Sequence, residues 1–253
     1  MVGKLIKHEL HSTLRIAAIP ALIMVLLAIL ARIMFETTSL EVAIVLLFFY
    51  IIFLMATLAI GYLFGIYSFY QSLFTPTGYL TLSLPITPDQ LIWSKLISAI
   101  AVMFASIIVC LLSACIFFLG LPQEALDAIF DAFATMGEII RQYISSEPMF
   151  FVELVLVVII SVPMSFLVFY AIMCIGQMFT VKNRKAISIL LYVGLMFVWE
   201  ILSTTIIADI NEKMMEISYH LAMWVQIVFD AGVAVGCYFL VRYIIKNKVN
   251  LLA

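Results

Sequence analysis

The amino-acid sequence predicts an all-α integral membrane protein with six transmembrane helices. Of its 253 residues, 66% are hydrophobic and 11% are charged, whereas a soluble domain is about 45–50% apolar and about 25% charged. The apolar residues form long runs, and lysine and arginine are concentrated in alternate connections between those runs. Such runs are typical of transmembrane helices, because a helix satisfies its own backbone polar groups in lipid.

Each apolar run is long enough to cross a bilayer, since about 20 helical residues span the roughly 30 Å hydrocarbon core. The predicted spans are 16–34, 42–67, 91–119, 149–179, 187–208 and 220–245. In the second span Thr57, Gly61 and Gly65 share one face, which permits close approach of a neighbouring helix. Pro163, near the middle of the fourth span, predicts a kink.

Two further segments have the amphipathic pattern of helices that lie along a membrane surface. Residues 1–15 set Lys4, Lys7 and Arg15 against apolar positions at helical spacing, which predicts an interfacial helix in the inner headgroup layer. Residues 120–148 have apolar positions near one face and acidic residues mostly on the other. They predict a helix on the outer membrane surface or over a pore mouth, and a lid without any role toward a substrate fits equally well.

The distribution of positive charge predicts the orientation of the chain. Six spans place both termini on the same side of the membrane. Ten of the 13 lysine and arginine residues fall on that side, in the N-terminal helix, at Lys95, in the turn at 181–186 and near the C-terminus. Because cytoplasmic connections carry the excess of lysine and arginine, both termini are predicted to be cytoplasmic.

The connection at 68–90, between spans two and three, is unusually apolar for a segment that should reach the cytoplasm. From Ser68 to Lys95 only Asp89 and Lys95 are charged, whereas aromatic and leucine side chains are frequent. Exposed loops are usually polar. No other cytoplasmic segment is large enough to bury this surface, so we expect a second protein to cover it. A helix that only touches lipid headgroups is the alternative.

Local signals in this connection predict a short helix followed by the third span. Thr75-Pro76 has the form of an N-cap followed by proline at the first helical position, for a short helix through Leu80. The sequence TPDQ at 87–90 has the form of a capping box that begins the next helix. Trp93 and Lys95 are then expected near the lipid headgroups.

Ionisable residues deep inside a span are candidates for function. Two such residues are predicted, Glu200 in span five and Asp230 in span six. One interpretation is that Glu200 lines a translocation path and binds cationic or amide groups of a substrate. The other is that each acid is a hydrogen-bonding group between helices, or is protonated in the bilayer.

Motifs of the common enzyme classes are absent from the sequence. There is neither a GxxxxGK[ST] phosphate loop nor an HExxH zinc motif. The four cysteines lie in apolar runs without CxxC spacing, which predicts neither a disulfide framework nor a metal site. No basic aromatic stripe suggests nucleic-acid binding. We therefore expect no catalytic site and no cofactor in this chain.

The connection between spans two and three resembles bacterial type-2 ABC transporter permeases. The resemblance is carried by residues 74–86, FTPTGYLTLSLPI, and residues 91–96, LIWSKL. In that family a pattern of the form "lF…GYLt.tLP" lies between spans two and three and is followed by "SKL". The basic N-terminal helix, the six spans and the ending at 247–251, NKVNL, are similar in layout. Thr77 departs from the family pattern, in which an acidic residue often precedes the Gly-Tyr pair, so a salt bridge from this position is not carried over.

The resemblance implies the permease subunit of an ATP-driven exporter in the bacterial plasma membrane. Two permease protomers, expected to be identical, would form the pore above two copies of a separate ATP-binding subunit that uses ATP and Mg²⁺. The coupling helix would be 75–83, and the residues that couple it to the ATP-binding subunit would be Phe74, Thr75, Thr77, Gly78, Tyr79 and Leu80. The cavity lining would include Phe49, Phe53, Tyr192, Met196 and Glu200.

The resemblance also implies a class of cargo. Small permeases of this kind often export antimicrobial or toxic amphipathic peptides, as in bacteriocin self-protection and in phenol-soluble modulin exporters. Hydrophobic or amphipathic peptides are therefore the expected cargo. The alternative is a secondary transporter or channel that needs no partner, and a scaffold or immunity protein that sequesters peptide is a third possibility.

Overall fold

The computed structural model describes residues 18–30, 32–33, 40–74, 87–119, 123–178, 190, 193–198, 201, 204–205 and 218–247. All regular secondary structure in these ranges is helical. The main helices are α1 (Ala18–Leu30), α2 (Leu40–Phe74), α3 (Pro88–Phe118), α4 (Gln123–Ser146), α5 (Pro148–Met178) and α6 (Tyr219–Asn247). The predicted all-α fold class is confirmed.

Four helices in the described part of the chain are long and apolar enough to cross a membrane. Their membrane-spanning portions are Leu47–Phe74, Pro88–Phe118, Pro148–Gly176 and Tyr219–Asn247. These helices coincide with predicted spans two, three, four and six, and they support a multi-pass membrane protein. The first predicted span corresponds to the shorter apolar helix α1. Most of the fifth lies outside the described residues, so six spans and cytoplasmic termini stay predictions.

Helix α2 extends beyond the predicted span 42–67 at both ends. At its C-terminal end it continues through seven residues, 68–74, that the sequence assigned to the connection. Nothing in these residues interrupts a helix, whereas Pro76 disfavours helical backbone at the residue before it. The described helix therefore continues past the change in hydropathy at residue 67.

Helix α3 begins at the predicted capping box. The backbone N–H of Gln90 donates to Oγ1 of Thr87 at 3.3 Å, and the backbone N–H of Thr87 donates to Oε1 of Gln90 at 3.3 Å. Two backbone donors at the start of the helix are thereby satisfied reciprocally. Pro88 occupies the first helical position, where its missing N–H costs nothing.

The amphipathic segment predicted at 120–148 is helical as α4. Phe130, Phe133 and Ile140 on its apolar side are 65%, 58% and 52% exposed, so they do not pack into the rest of the chain. An exposed apolar face of this kind is typical of a helix that lies in a membrane interface. Its position on the outer surface stays a prediction.

The chain divides into two compact units. The first contains residues 1–67 and 97–142, and the second contains residues 68–96 and 143–253. In the first unit, Met24 and Ala28 of α1 are buried together with Tyr50 of α2 and Phe117 of α3. The rings of Tyr50 and Phe117 stack with centroids 4.7 Å apart, which gives this unit an aromatic core.

The Tyr50 hydroxyl has a polar partner inside that core. Oγ of Ser113 donates to the backbone carbonyl of Cys110 at 2.8 Å and lies 3.1 Å from the Tyr50 hydroxyl. Because the serine proton is already used, the tyrosine O–H donates to the serine oxygen. Burial of this hydroxyl is thereby compensated.

Gly61 is the residue of the predicted small-residue row at which α2 approaches α3 most tightly. A Cβ atom at this position would lie 2.9 Å from Cβ of Ser106 and would also overlap its Oγ. Gly65 and Thr57 of the same row are buried as well. The row therefore serves close helix packing, as predicted.

Exchanging glycine for alanine at this contact is expected to destabilise the first unit. Gly61→Ala should lower the thermal unfolding temperature, because its methyl group must displace Ser106. Ser106→Gly in the same chain should restore much of the loss, since it removes both overlapping atoms. The control is Gly236→Ala, where no described atom lies within 4 Å of the added Cβ. Equal effects at the two glycines would contradict the packing described above.

Candidate functional site

The second unit contains a buried lysine in the first turns of α3. Lys95 is only 3% exposed. Its Nζ lies 3.5 Å from both the backbone carbonyl oxygen and the side-chain oxygen of Ser68. Ser68 lies near the C-terminal end of α2. Polar partners on α2 thus hold the side chain of Lys95, and its expected position near the headgroups stays a prediction. Trp93, two residues earlier, is 51% exposed.

An aromatic stack joins α2 to α5 at the same level. The rings of Phe69 and Tyr170 are parallel within 10°, with centroids 3.9 Å apart, and both side chains are fully buried. The Tyr170 hydroxyl donates to the backbone carbonyl of Lys95 at 3.5 Å. The end of α2, the beginning of α3 and the middle of α5 are thus held together by one cluster.

Part of the apolar surface between Ser68 and Lys95 is therefore buried within this chain. Phe69, Leu73, Leu91 and Ile92 are at most 5% exposed. The expectation that only a second protein could bury the whole segment is wrong for these residues. Phe69 packs on Tyr170 of α5, and all four residues belong to helices that flank the connection. The apolar surface of this connection that a partner protein could still cover begins near Phe74.

A second polar contact links the beginning of α3 to the end of α6. Oδ1 of Asp89 accepts hydrogen bonds from the Tyr238 hydroxyl at 2.5 Å and from Nε of Arg242 at 3.0 Å. The Trp93 ring lies 6.2 Å from that of Tyr238. Asp89 is only about one-third exposed, so solvent screens this contact less than it would a fully exposed ion pair.

The proposed coupling residues lie at the boundary of the described chain. Phe74, the last residue of α2, is half-buried and its ring is 5.9 Å from that of Tyr70. The other coupling residues lie outside the described residues; they are Thr75, Thr77, Gly78, Tyr79 and Leu80.

The candidate cavity residues are distributed over both units. Phe49 and Phe53 lie one turn apart on α2 in the first unit and are 53% and 40% exposed. Met196 is half-buried in a short helical piece, 193–198, of the second unit. Tyr192 and Glu200 lie outside the described residues, so their role in a cavity stays a prediction.

An apolar groove opens on the first unit instead of around Phe49 and Phe53. Its volume is about 330 Å³. It is lined by Ile19, Pro20, Ile23, Ile60, Gly61, Phe64 and Ser106. A recess with this lining suits an apolar side chain or a lipid acyl chain.

Asp230 has a partner on its own helix. Its carboxyl is 3% exposed, and Oδ1 accepts a hydrogen bond at 2.9 Å from Nε2 of Gln226, one turn earlier on α6. This contact supports the structural interpretation of Asp230, because a buried carboxyl needs hydrogen bonds to offset its burial.

A polar cluster that sequence reasoning missed lies where α5 and α6 begin. Oε2 of Glu153 is 2.9 Å from Nδ1 of His220, and Oε2 of Glu147 is 3.5 Å from Nε2 of the same ring. Glu153 is 1% exposed, although it lies within a predicted span. The sequence signal for this cluster was an acidic residue, Glu153, inside the apolar run 149–179.

The cluster is not arranged as a metal site. Within the described ranges, no three His, Cys, Asp or Glu side chains come together in a way that could hold a metal ion. The two nitrogens of His220 instead face different carboxylates. Comparison with known proteins adds no further assignment, since no family model, no curated protein and no solved structure matches the chain.

Proposed function

We propose that this chain is the permease subunit of an ATP-driven exporter, with hydrophobic or amphipathic peptides as its cargo. One observation carries the proposal. The aromatic segment at 74–86, which has the pattern of the type-2 ABC permeases, connects two helix ends that are both anchored in the second unit. A connection that passes force between a motor and a membrane domain needs such anchoring.

The contacts around this connection offer a route for mechanical coupling. Lys95 and the stack of Phe69 on Tyr170 tie the end of α2 and the beginning of α3 to α5. Asp89 ties the beginning of α3 to Arg242 near the end of α6. A displacement of the connection would therefore shift both α5 and α6, because close-packed interiors transmit strain.

The rest of the proposal follows from the resemblance and the charge distribution. Two permease protomers would assemble with two copies of an ATP-binding subunit, which would bind ATP and Mg²⁺ and carry out hydrolysis. The connection at 68–90 and both termini would face the cytoplasm of a bacterial cell. The apolar groove on the first unit supports a cargo with apolar side chains.

The test is reconstitution of the full chain in liposomes with and without the ATP-binding subunit encoded beside it. We expect amphipathic peptides to stimulate ATP turnover and to be moved only when both subunits are present. The control is an ATP-binding subunit whose phosphate-loop lysine is replaced. Transport by this chain alone, driven by an ion gradient, would overturn the proposal.

A second candidate function is a proton-coupled secondary transporter, which the pair formed by Glu153 and His220 favours. Buried titratable pairs inside membrane helices are found in proton relays of transporters. The same liposome experiment separates the two functions, since a secondary transporter would respond to a pH gradient and not to ATP.

A further inference from the structure

The cluster of Glu147, Glu153 and His220 places one carboxylate near each nitrogen of a single histidine ring. Each ring nitrogen of His220 faces a carboxylate oxygen, Nδ1 toward Glu153 and Nε2 toward Glu147. A neutral imidazole has one N–H and one bare nitrogen, whereas the imidazolium has two N–H donors. With both acids ionised, only the imidazolium can donate to both. The arrangement therefore requires one more proton than a neutral ring between two carboxylates.

The buried acid leads to the same requirement. Glu153 uses Oε2 toward His220, and its Oε1 is sealed from solvent and has no hydrogen-bond partner among the described residues. A buried carboxylate without compensation is costly. A proton is small enough to reach such an enclosed group, whereas an ammonium group or a metal ion is not. Proton occupancy is therefore the chemistry that this cluster can support.

The titratable groups that face His220 in the described chain come from both elements that meet here. Glu147 directly precedes α5 and is 55% exposed, whereas Glu153 lies inside the second turn of α5. Tyr219 is adjacent to His220 on α6, and its ring packs 5.4 Å from that of Phe150. His220 is 38% exposed, so protons can exchange with water from this end of the helices.

We propose that Glu147, Glu153 and His220 form a proton-binding site that clamps the beginning of α5 to the beginning of α6. With the proton bound, Nδ1 donates to Glu153, the positively charged ring attracts Glu147, and the two helices are joined. When the proton leaves, one nitrogen presents its lone pair to a carboxylate oxygen and the contact becomes repulsive. Binding and release of one proton would thus change the packing of α5 on α6.

The first test measures thermal unfolding of the purified full-length protein in lipid nanodiscs over about pH 5–8, the range in which histidine changes charge. We expect the unfolding temperature of the wild type to be highest at the acidic end of this range and to fall as the pH rises, because the clamp holds only while the proton is bound. Glu153→Gln and His220→Gln should each lose most of that variation. Glu138→Gln, an exposed acid on α4, is the matched control and should keep it. Retention of the wild-type profile in Glu153→Gln would overturn the proposal.

The second test does not depend on how well a variant at the clamp folds. The chain has three histidines, so the double variant His8→Gln with His11→Gln leaves His220 as the one ¹⁵N-histidine signal in the labelled protein. We expect both ring nitrogens to carry protons at the pH of greatest stability, and one to be bare where that stability is lost. A ring nitrogen that stays bare throughout would overturn the proton-binding site. Neither test involves an ATP-binding subunit, so this outcome is independent of the proposed export function.

Discussion

Replacing Tyr170 with alanine is expected to destabilise the second unit by about 3 kcal/mol, the lower end of the range for aromatic deletions in protein cores. Tyr170 is fully buried and stacks on Phe69, which is also fully buried. Between membrane helices the transfer of apolar surface contributes little, because lipid is as apolar as the protein interior. The loss therefore comes mainly from the cavity and from contacts that Phe69 no longer makes.

Two further variants separate the ring from its hydroxyl and from general effects of losing a tyrosine. Tyr170→Phe keeps the ring, removes the hydroxyl that makes the long hydrogen bond to the carbonyl of Lys95, and should cost about 1 kcal/mol or less. Tyr243→Ala removes a tyrosine that is 59% exposed and should have little effect. Unfolding in detergent, followed by loss of helical circular dichroism, measures all three. If Tyr170→Ala were no more harmful than Tyr243→Ala, the stack would not hold the helices together.

The helices were predictable because their signals are local. A run of apolar residues indicates a membrane helix irrespective of what surrounds it. The capping box at Thr87 and Gln90 is equally local, since its two hydrogen bonds join residues three apart in the chain. The spacing of small residues on α2 was enough to identify Gly61 as a contact position. It could not identify Ser106 as the partner, because the spacing on one helix does not reveal which other helix packs against it.

The contacts of the candidate site were not predictable, because they join residues far apart in the sequence. Lys95 was expected near the headgroups on the basis of its position at a helix end. Its burial depends on Ser68 of α2, 27 residues away. Glu153 was likewise missed because its partner His220 is 67 residues away on α6. Hydropathy describes each helix separately, whereas polar pairing depends on how the helices are arranged.

Replacing Phe74 and Tyr79 together with alanine is expected to weaken binding of the ATP-binding subunit by about 100-fold or more. Burial of one large apolar side chain contributes roughly 1.5–3 kcal/mol, and about 1.4 kcal/mol corresponds to a tenfold change in Kd. Phe74 is already half-buried in this chain, so Tyr79 should account for the larger share. Co-purification from detergent, with the Kd measured by titration of the ATP-binding subunit, provides the readout.

The matched control is the pair Phe48→Ala and Tyr67→Ala, two exposed aromatic residues elsewhere on α2. It removes a similar aromatic area from residues outside the connection at 74–86 and should leave binding of the ATP-binding subunit unchanged. Equal weakening by both pairs would indicate general damage to α2. Normal stoichiometry and transport in the Phe74 and Tyr79 variant would show that the connection at 74–86 is not the docking site. Loss of binding in the Phe74 and Tyr79 variant alone would instead show that the aromatic side chains at this connection bind a partner. Other aromatic side chains near it, such as Phe69, are already buried within the chain.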